Sequence, residues 1–154
     1  MIKLSEDTTD LIFRSLFCLI FICLGFEHLF SDKLIQELIP SWLPAKRFIS
    51  VFCGFWLIFW GCLIAVGYKV NWSAIALGGF IIIVSLLVHL PALFYYPELL
   101  AEQDKWLWDV LQRSNLVKNI CLLGVCFLLL NYKVKKYSLE YLVSFLRGRR
   151  SRMK

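Results

Sequence analysis

Four long apolar runs occupy most of this chain, at residues 11–30, 48–67, 72–93 and 116–132. A helix needs about 20 mostly apolar residues to cross a hydrocarbon core about 30 Å thick. A soluble helix of similar length would show a polar stripe along one side, and these runs do not. The pattern predicts an all-α fold, a polytopic membrane four-helix bundle with short interfacial helices.

Composition excludes a soluble domain. The chain has 154 residues, of which 60% are apolar and only 18% are charged. Its mean hydropathy is +0.70, and no soluble domain of this size has such a composition. We expect one domain at residues 1–132 and a basic tail at 133–154. The first run lacks the positive start and the small-residue cleavage site of a signal peptide, so we expect it to be retained.

The basic residues predict the sidedness. Four crossings place both termini on one side, where eleven of the seventeen Lys and Arg residues collect, eight of them in the tail. The opposite side holds six. The positive-inside rule therefore places both termini in the cytoplasm and the loops 31–47 and 94–115 outside. The tail would rest on anionic lipid. Nucleic-acid binding has no support, because no binding module fits the sequence.

The connections have different lengths. The inner loop at 68–71 is very short, which makes the second and third helices antiparallel neighbours. Residues 33–39 and 98–113 are amphipathic and are predicted to lie on the outer surface, where Trp42 joins an aromatic belt. Residues 139–146 are predicted to form an interfacial helix. Small residues at positions 18 and 25, 54 and 61, and 74 and 78 predict faces along which helices approach closely.

Six cysteines lie inside the apolar runs, and none forms a Cys-x-x-Cys pair. That spacing would be needed for a dithiol redox motif or for half of a zinc site. Packing as small apolar side chains is therefore the expected role, with disulfide exchange on a quinone as the alternative. No metal site is predicted.

Polar groups collect near the outer ends of the helices. His28 ends the first helix, Ser85 and His89 lie near the end of the third, and Asn119 lies near the start of the fourth. Glu27 is adjacent to His28 but points about 100° away. Ionisable groups within a membrane are costly, which makes them functional candidates. Each residue could also be structural, for example by satisfying a carbonyl freed by a nearby proline.

This cluster fits several chemistries. Imidazole and amide donors in an apolar slot suit a quinone headgroup whose tail lies in lipid. Two histidines on different helices could instead ligate haem iron, although only the pair itself favours haem. A small-molecule transporter is the third class, but the discontinuous helices and repeats typical of transporters are not evident. The quinone hypothesis uses His28, His89 and Asn119, with Glu27, Ser85 and Trp42 as further ligand-binding candidates.

Several short motifs resemble the DoxX-like family of small four-helix membrane proteins. Residues 25–30 read GFEHLF, 39–44 read IPSWLP, 88–91 read VHLP, and 118–124 read KNICLLG. The likeness spans about residues 10–130 and includes Gly54 and Gly61 of the second helix. One departure from the family pattern removes a carboxylate that could take part in proton transfer. Many members carry a glutamate where this chain has Leu57, and Trp60 replaces a frequent glycine.

The resemblance implies a role in redox chemistry. The namesake relatives form the membrane subunit of a thiosulfate–quinone oxidoreductase, whereas most members have no settled function. We therefore expect a membrane subunit or accessory of quinone-linked redox chemistry in a bacterial cytoplasmic (inner) membrane, in contact with lipid, quinone and a partner subunit. A non-enzymatic scaffold is the alternative. Fold similarity alone does not license an activity, so whether the chain is an enzyme stays open.

Overall fold

The computed structural model describes residues 4–31, 36, 39, 43–96 and 100–151, and these residues form helices and connecting turns without a strand. This confirms the predicted all-α fold. Within the described ranges we number five α-helices: α1 (Glu6–Phe30), α2 (Lys46–Val66), α3 (Val70–Val84), α4 (Lys105–Leu129) and α5 (Leu139–Ser151). The predicted turn at 33–39 lies largely outside the described residues, and so does the Trp42 loop.

Among the described residues, three helical segments are long and apolar enough to cross a membrane, at Glu6–Phe30, Lys46–Val66 and Val70–Leu93. The third comprises α3, a π-helical turn at Ser85–His89 and a 3₁₀ turn at Pro91–Leu93. Helix α4 begins earlier than expected, because residues 105–113 form its first turns and not a separate surface segment. Its first 14 residues include four charged ones, Lys105, Asp109, Arg113 and Lys118, so a fourth crossing stays a prediction.

Helices α1 and α2 are antiparallel and come into backbone contact. A Cβ atom added to Gly25 would lie 2.8 Å from the carbonyl oxygen of Gly54, and one added to Gly54 would lie 2.9 Å from that of Gly25. Gly61, seven residues after Gly54 on α2, lies against Phe21 and Cys18 of α1. These contacts confirm that the small-residue faces of the two helices meet, which is how helices pack in lipid.

Helices α3 and α4 form the second antiparallel pair. The Asn71 side-chain amide donates to the carbonyl oxygens of Leu129 (3.2 Å) and Leu130 (2.7 Å), and so satisfies the last turn of α4. Further along, Gly78 lies beside Cys126. The buried core, which includes Phe21, Leu57, Ile64, Leu77 and Cys126, takes residues from all four long helices.

The chain after α4 returns to the α2–α3 turn and to the start of α1. Arg14 is completely buried. Its Nε donates to Asp10 (2.9 Å), its Nη1 to the carbonyls of Ile64 and Ala65 in the last turn of α2, and its Nη2 to the carbonyl of Tyr137 (2.7 Å). A cation at these carbonyls complements the negative end of the α2 dipole. We call Asp10, Arg14 and their partners in α2 and the tail the arginine clamp.

Two more contacts hold the tail at the arginine clamp. Tyr132 donates its hydroxyl hydrogen to Asp10 (2.9 Å), and the backbone N–H of Glu140 donates to the carbonyl of Gly67 (3.2 Å). Gly67 has φ +68°, and a Cβ atom there would lie 2.6 Å from the Cβ of Ser138. Only glycine therefore combines this turn with so close an approach of the tail.

Candidate functional site

The predicted site residues that the structure describes lie at the end of the bundle opposite the arginine clamp. His28, in the last turn of α1, is half-buried against the completely buried Ser50 of α2. Its Nδ1 atom lies 3.3 Å from the Ser50 hydroxyl oxygen, and that hydroxyl donates to the His28 backbone carbonyl (3.2 Å). These contacts place His28 in the α1–α2 interface and give it a partner that the sequence analysis did not identify.

His89 contacts the other helix pair. It is the last residue of the π-helical turn, in which the Leu90 N–H donates to the Ser85 carbonyl (2.8 Å). Such widened turns occur frequently at functional sites. The His89 Nδ1 atom lies 2.8 Å from Oε1 of Gln112 on α4. The histidine is half-buried, whereas Gln112 is 1% exposed.

Ser85 and Asn119 form the neighbouring contact between the π-helical turn and α4. The Asn119 Nδ2 atom donates to the Ser85 hydroxyl oxygen at 3.1 Å, and Asn119 is buried. The structure thus brings Ser85 and His89 of the π-helical turn together with Asn119 of α4. We call these three residues and Gln112 the polar cluster. His28 lies in the α1–α2 interface, and Glu27 is exposed beside it.

Gln112 was missed because the sequence analysis placed it in a surface segment. Its amide nitrogen, Nε2, is buried and has no hydrogen-bond partner in the described part of the chain. A spacing signal was available. Gln112, Asn119 and Cys126 are seven residues apart, and all three are buried. That spacing returns to one face of a helix after two turns, so continuing the helix toward its start would have found Gln112.

The arginine clamp was also missed. The sidedness prediction uses Arg14 only as one of the eleven cations on the side of the termini, although Asp10 stands four residues before it, at the spacing of a helical ion pair. Near the clamp, Lys135 donates to Glu6 (2.9 Å), and this hydrogen bond raises the pKa of the Lys135 ammonium group. At the opposite end, the hydrogen bond from Tyr96 to Asp109 raises the pKa of the Tyr96 hydroxyl. Both shifts leave these two groups protonated at neutral pH.

A comparison with protein families assigns the chain. The family model described as DoxX matches residues 9–90, which is more than half of the sequence. The chain belongs to the DoxX family. The match confirms the predicted resemblance and makes this an integral membrane protein. His28, Ser85 and His89 lie within the matched part, whereas Gln112 and Asn119 lie beyond it. No curated protein and no solved structure matches the sequence of this DoxX protein.

Proposed function

We propose that this DoxX protein is a membrane subunit or accessory of quinone-linked electron transfer, and that the polar cluster binds the quinone headgroup. The observation that carries the proposal is the buried amide nitrogen of Gln112, which lacks a partner among the described residues. A buried donor without an acceptor costs about 1–3 kcal/mol. Folded proteins leave few such groups, and a ligand oxygen would satisfy this one.

The hydrogen bond between His89 and Gln112 also defines an acceptor. Because Oε1 of Gln112 can only accept, His89 carries its hydrogen on Nδ1 in this contact. In the neutral imidazole the Nε2 atom then has a free lone pair. The two side chains together offer a donor, the Gln112 amide, and an acceptor, the His89 Nε2. That combination suits an oxygen that alternates between carbonyl and hydroxyl, as in a quinone and its quinol.

The surroundings supply an apolar approach from the lipid side. Leu86, Leu87 and Leu90 are exposed around His89 on and after the π-helical turn. A quinone tail could lie along these side chains while the headgroup reaches His89 and Gln112. On the α4 side, Trp108 donates to the Ala92 carbonyl at 2.9 Å and so places an indole ring near the cluster.

Quinone binding is testable by fluorescence. Decylubiquinone added to the purified protein in lipid nanodiscs should quench tryptophan fluorescence saturably, because Trp108 lies near the polar cluster. Gln112→Leu and His89→Leu should each weaken the apparent affinity about tenfold, which corresponds to about 1.4 kcal/mol and to one lost hydrogen bond. Asn115→Leu is the matched control, since Asn115 accepts from Lys118 (2.9 Å) outside the cluster, and it should bind within about twofold of wild type.

The other outcomes separate the alternatives. Absence of saturable quenching in the wild-type protein would overturn the proposal and favour a scaffold. His28→Gln tests whether His28 shares the site, since a purely structural contact with Ser50 would leave quinone affinity unchanged. An absorbance spectrum of the same sample tests the haem alternative, which requires a Soret band.

The proposed orientation places four crossings in a bacterial inner membrane, with both termini in the cytoplasm. Trypsin added to right-side-out spheroplasts should then leave the arginines of α5 uncut, whereas inverted membrane vesicles should lose the tail. The excess of Lys and Arg at the end of the bundle that holds the arginine clamp supports this orientation. Cleavage of the tail in intact spheroplasts would reverse it and would place the polar cluster at the cytoplasmic face.

A further inference from the structure

Helix α5 is attached to the bundle at its first residues and is uncovered beyond them. Ser138, which is buried, caps the helix by accepting from the N–H of Tyr141 (3.2 Å). The helix start is tied to the α2–α3 turn, because the Glu140 N–H donates to Gly67 and the Glu140 carboxylate accepts from the Lys69 N–H (3.0 Å). From residue 141 to 149 every side chain except that of Val143 is exposed.

The exposed part of α5 has an apolar stripe. At 100° per residue, Leu139, Leu142, Val143 and Leu146 fall on one side of the helix. Leu142 and Leu146 are 51% and 54% exposed, which a water-facing helix would not favour. Some other surface must therefore cover this stripe.

Charge indicates which surface that is. Arg147 and Arg149 are exposed and lie on opposite sides of the stripe, where their long side chains can reach past its edges. The sequence continues with Arg150, Arg152 and Lys154. Glu140 is the one acid between residues 139 and 154, and its carboxylate already accepts from Lys69. The free face therefore combines an apolar stripe with cations alone, as in helices that lie on anionic membranes.

The point of attachment sets the depth of the helix. The α2–α3 turn joins two helical segments, Lys46–Val66 and Val70–Leu93, that are long and apolar enough to cross a membrane, so the turn lies at the membrane boundary. Because the first residues of α5 are hydrogen-bonded to Gly67 and Lys69 of this turn, α5 begins at the membrane boundary. We infer that α5 docks flat on the anionic phospholipid headgroups of this leaflet, with the leucine stripe in the lipid and Arg147 and Arg149 at the phosphates.

Chymotrypsin tests this inference on the full chain in nanodiscs, which expose both membrane faces. Cleavage after Phe145 is followed by mass spectrometry in discs of phosphatidylcholine alone and in discs with about one quarter phosphatidylglycerol. Each cation near an anionic surface strengthens binding roughly fivefold, so cleavage should be at least about fivefold slower in the anionic discs. Salt at roughly 0.5 M should remove most of this protection by screening.

The variants separate charge, apolar contact and general tail effects. Arg147→Gln with Arg149→Gln should abolish most of the protection, and so should Leu142→Ser with Leu146→Ser. The matched control is Lys133→Gln with Lys136→Gln, which removes the same charge from exposed tail positions before α5. This control variant should keep most of the protection from cleavage. Equal cleavage rates in the two lipid compositions would overturn the inference. Slow cleavage in both lipid compositions would also overturn it if the rate depended on the number of chains per disc, because a second copy of the chain would then cover the stripe.

Discussion

Replacing Arg14 by methionine is expected to lower the melting temperature of the purified protein by roughly 10 °C. Methionine has a side chain of similar length but no charged group. The Asp10 carboxylate and the carbonyls of Ile64, Ala65 and Tyr137 therefore lose their cationic donor. Removing one partner of a buried ion pair costs about 3–5 kcal/mol. In a protein of this size each kcal/mol corresponds to about 2–4 °C. Thermal unfolding in detergent, followed by circular dichroism, measures the effect.

The control is Arg113→Met, an equivalent change at an exposed arginine of α4 that bonds only to the Asp109 backbone carbonyl in the described contacts. It should change the melting temperature by less than about 2 °C. Adding Asp10→Asn to Arg14→Met removes the unpaired charge and should recover part of the loss. A melting temperature for Arg14→Met like that of the control would show that the clamp does not stabilise the fold.

The arginine clamp also shows why the sequence predicted helices better than their ends. Apolar runs identify α1, α2 and α3, because length and composition in lipid depend on local sequence alone. Apart from Asp10, the partners of Arg14 are backbone carbonyls 50 to 123 residues away, and a carbonyl has no signature in the sequence. The start of α4 was misplaced for a related reason. Its charged first turns are helical through packing on the π-helical turn, and not through hydropathy.

The sequence predicted the polar residue types of the candidate site but not which of them pair by hydrogen bonds. Histidines and an asparagine near the helix ends were visible as polar residues in apolar runs, and the structure brings Ser85 and His89 of the π-helical turn together with Asn119 of α4. The partner of His89 was not visible, because Gln112 lies in a stretch rich in charge and tryptophan. The π-helical turn changes which side chains of residues 85–89 face α4, and a regular α-helical projection does not predict that change.

The arginine clamp joins α1, α2 and the tail, whereas the polar cluster lies between the π-helical turn and α4, and the two make different use of polar groups. The Nε, Nη1 and Nη2 atoms of Arg14 each donate to an acceptor, which is typical of a structural network. Gln112 keeps a buried donor without one in the described chain. Stability alone would favour an apolar residue at position 112, so this contrast is the physical reason for seeking a ligand at the polar cluster.

A side chain at Gly25 is expected to force α1 and α2 apart. The Cβ atom of Gly25→Ala would lie 2.5 Å from Cγ1 of Ile58 and 2.8 Å from the carbonyl oxygen of Gly54. The Ile58 side chain can turn, but the Gly54 backbone can move only with its helix. Overpacking of this kind costs about 1–3 kcal/mol, so the melting temperature should fall by roughly 5 °C. Gly25→Leu should lower the melting temperature further and yield little folded protein.

The same helix pair offers a second position and the neighbouring pair a control. Gly54→Ala would place its Cβ atom 2.9 Å from the Gly25 carbonyl oxygen and 3.1 Å from the Cβ of His28, so it should destabilise the fold and disturb the His28–Ser50 contact together. Gly79 on α3 has no atom within 4 Å of its added Cβ. Because alanine favours a helix over glycine by about 1 kcal/mol, Gly79→Ala should leave the melting temperature unchanged or raise it. Equal effects of Gly25→Ala and Gly79→Ala would mean that close backbone contact does not hold α1 against α2.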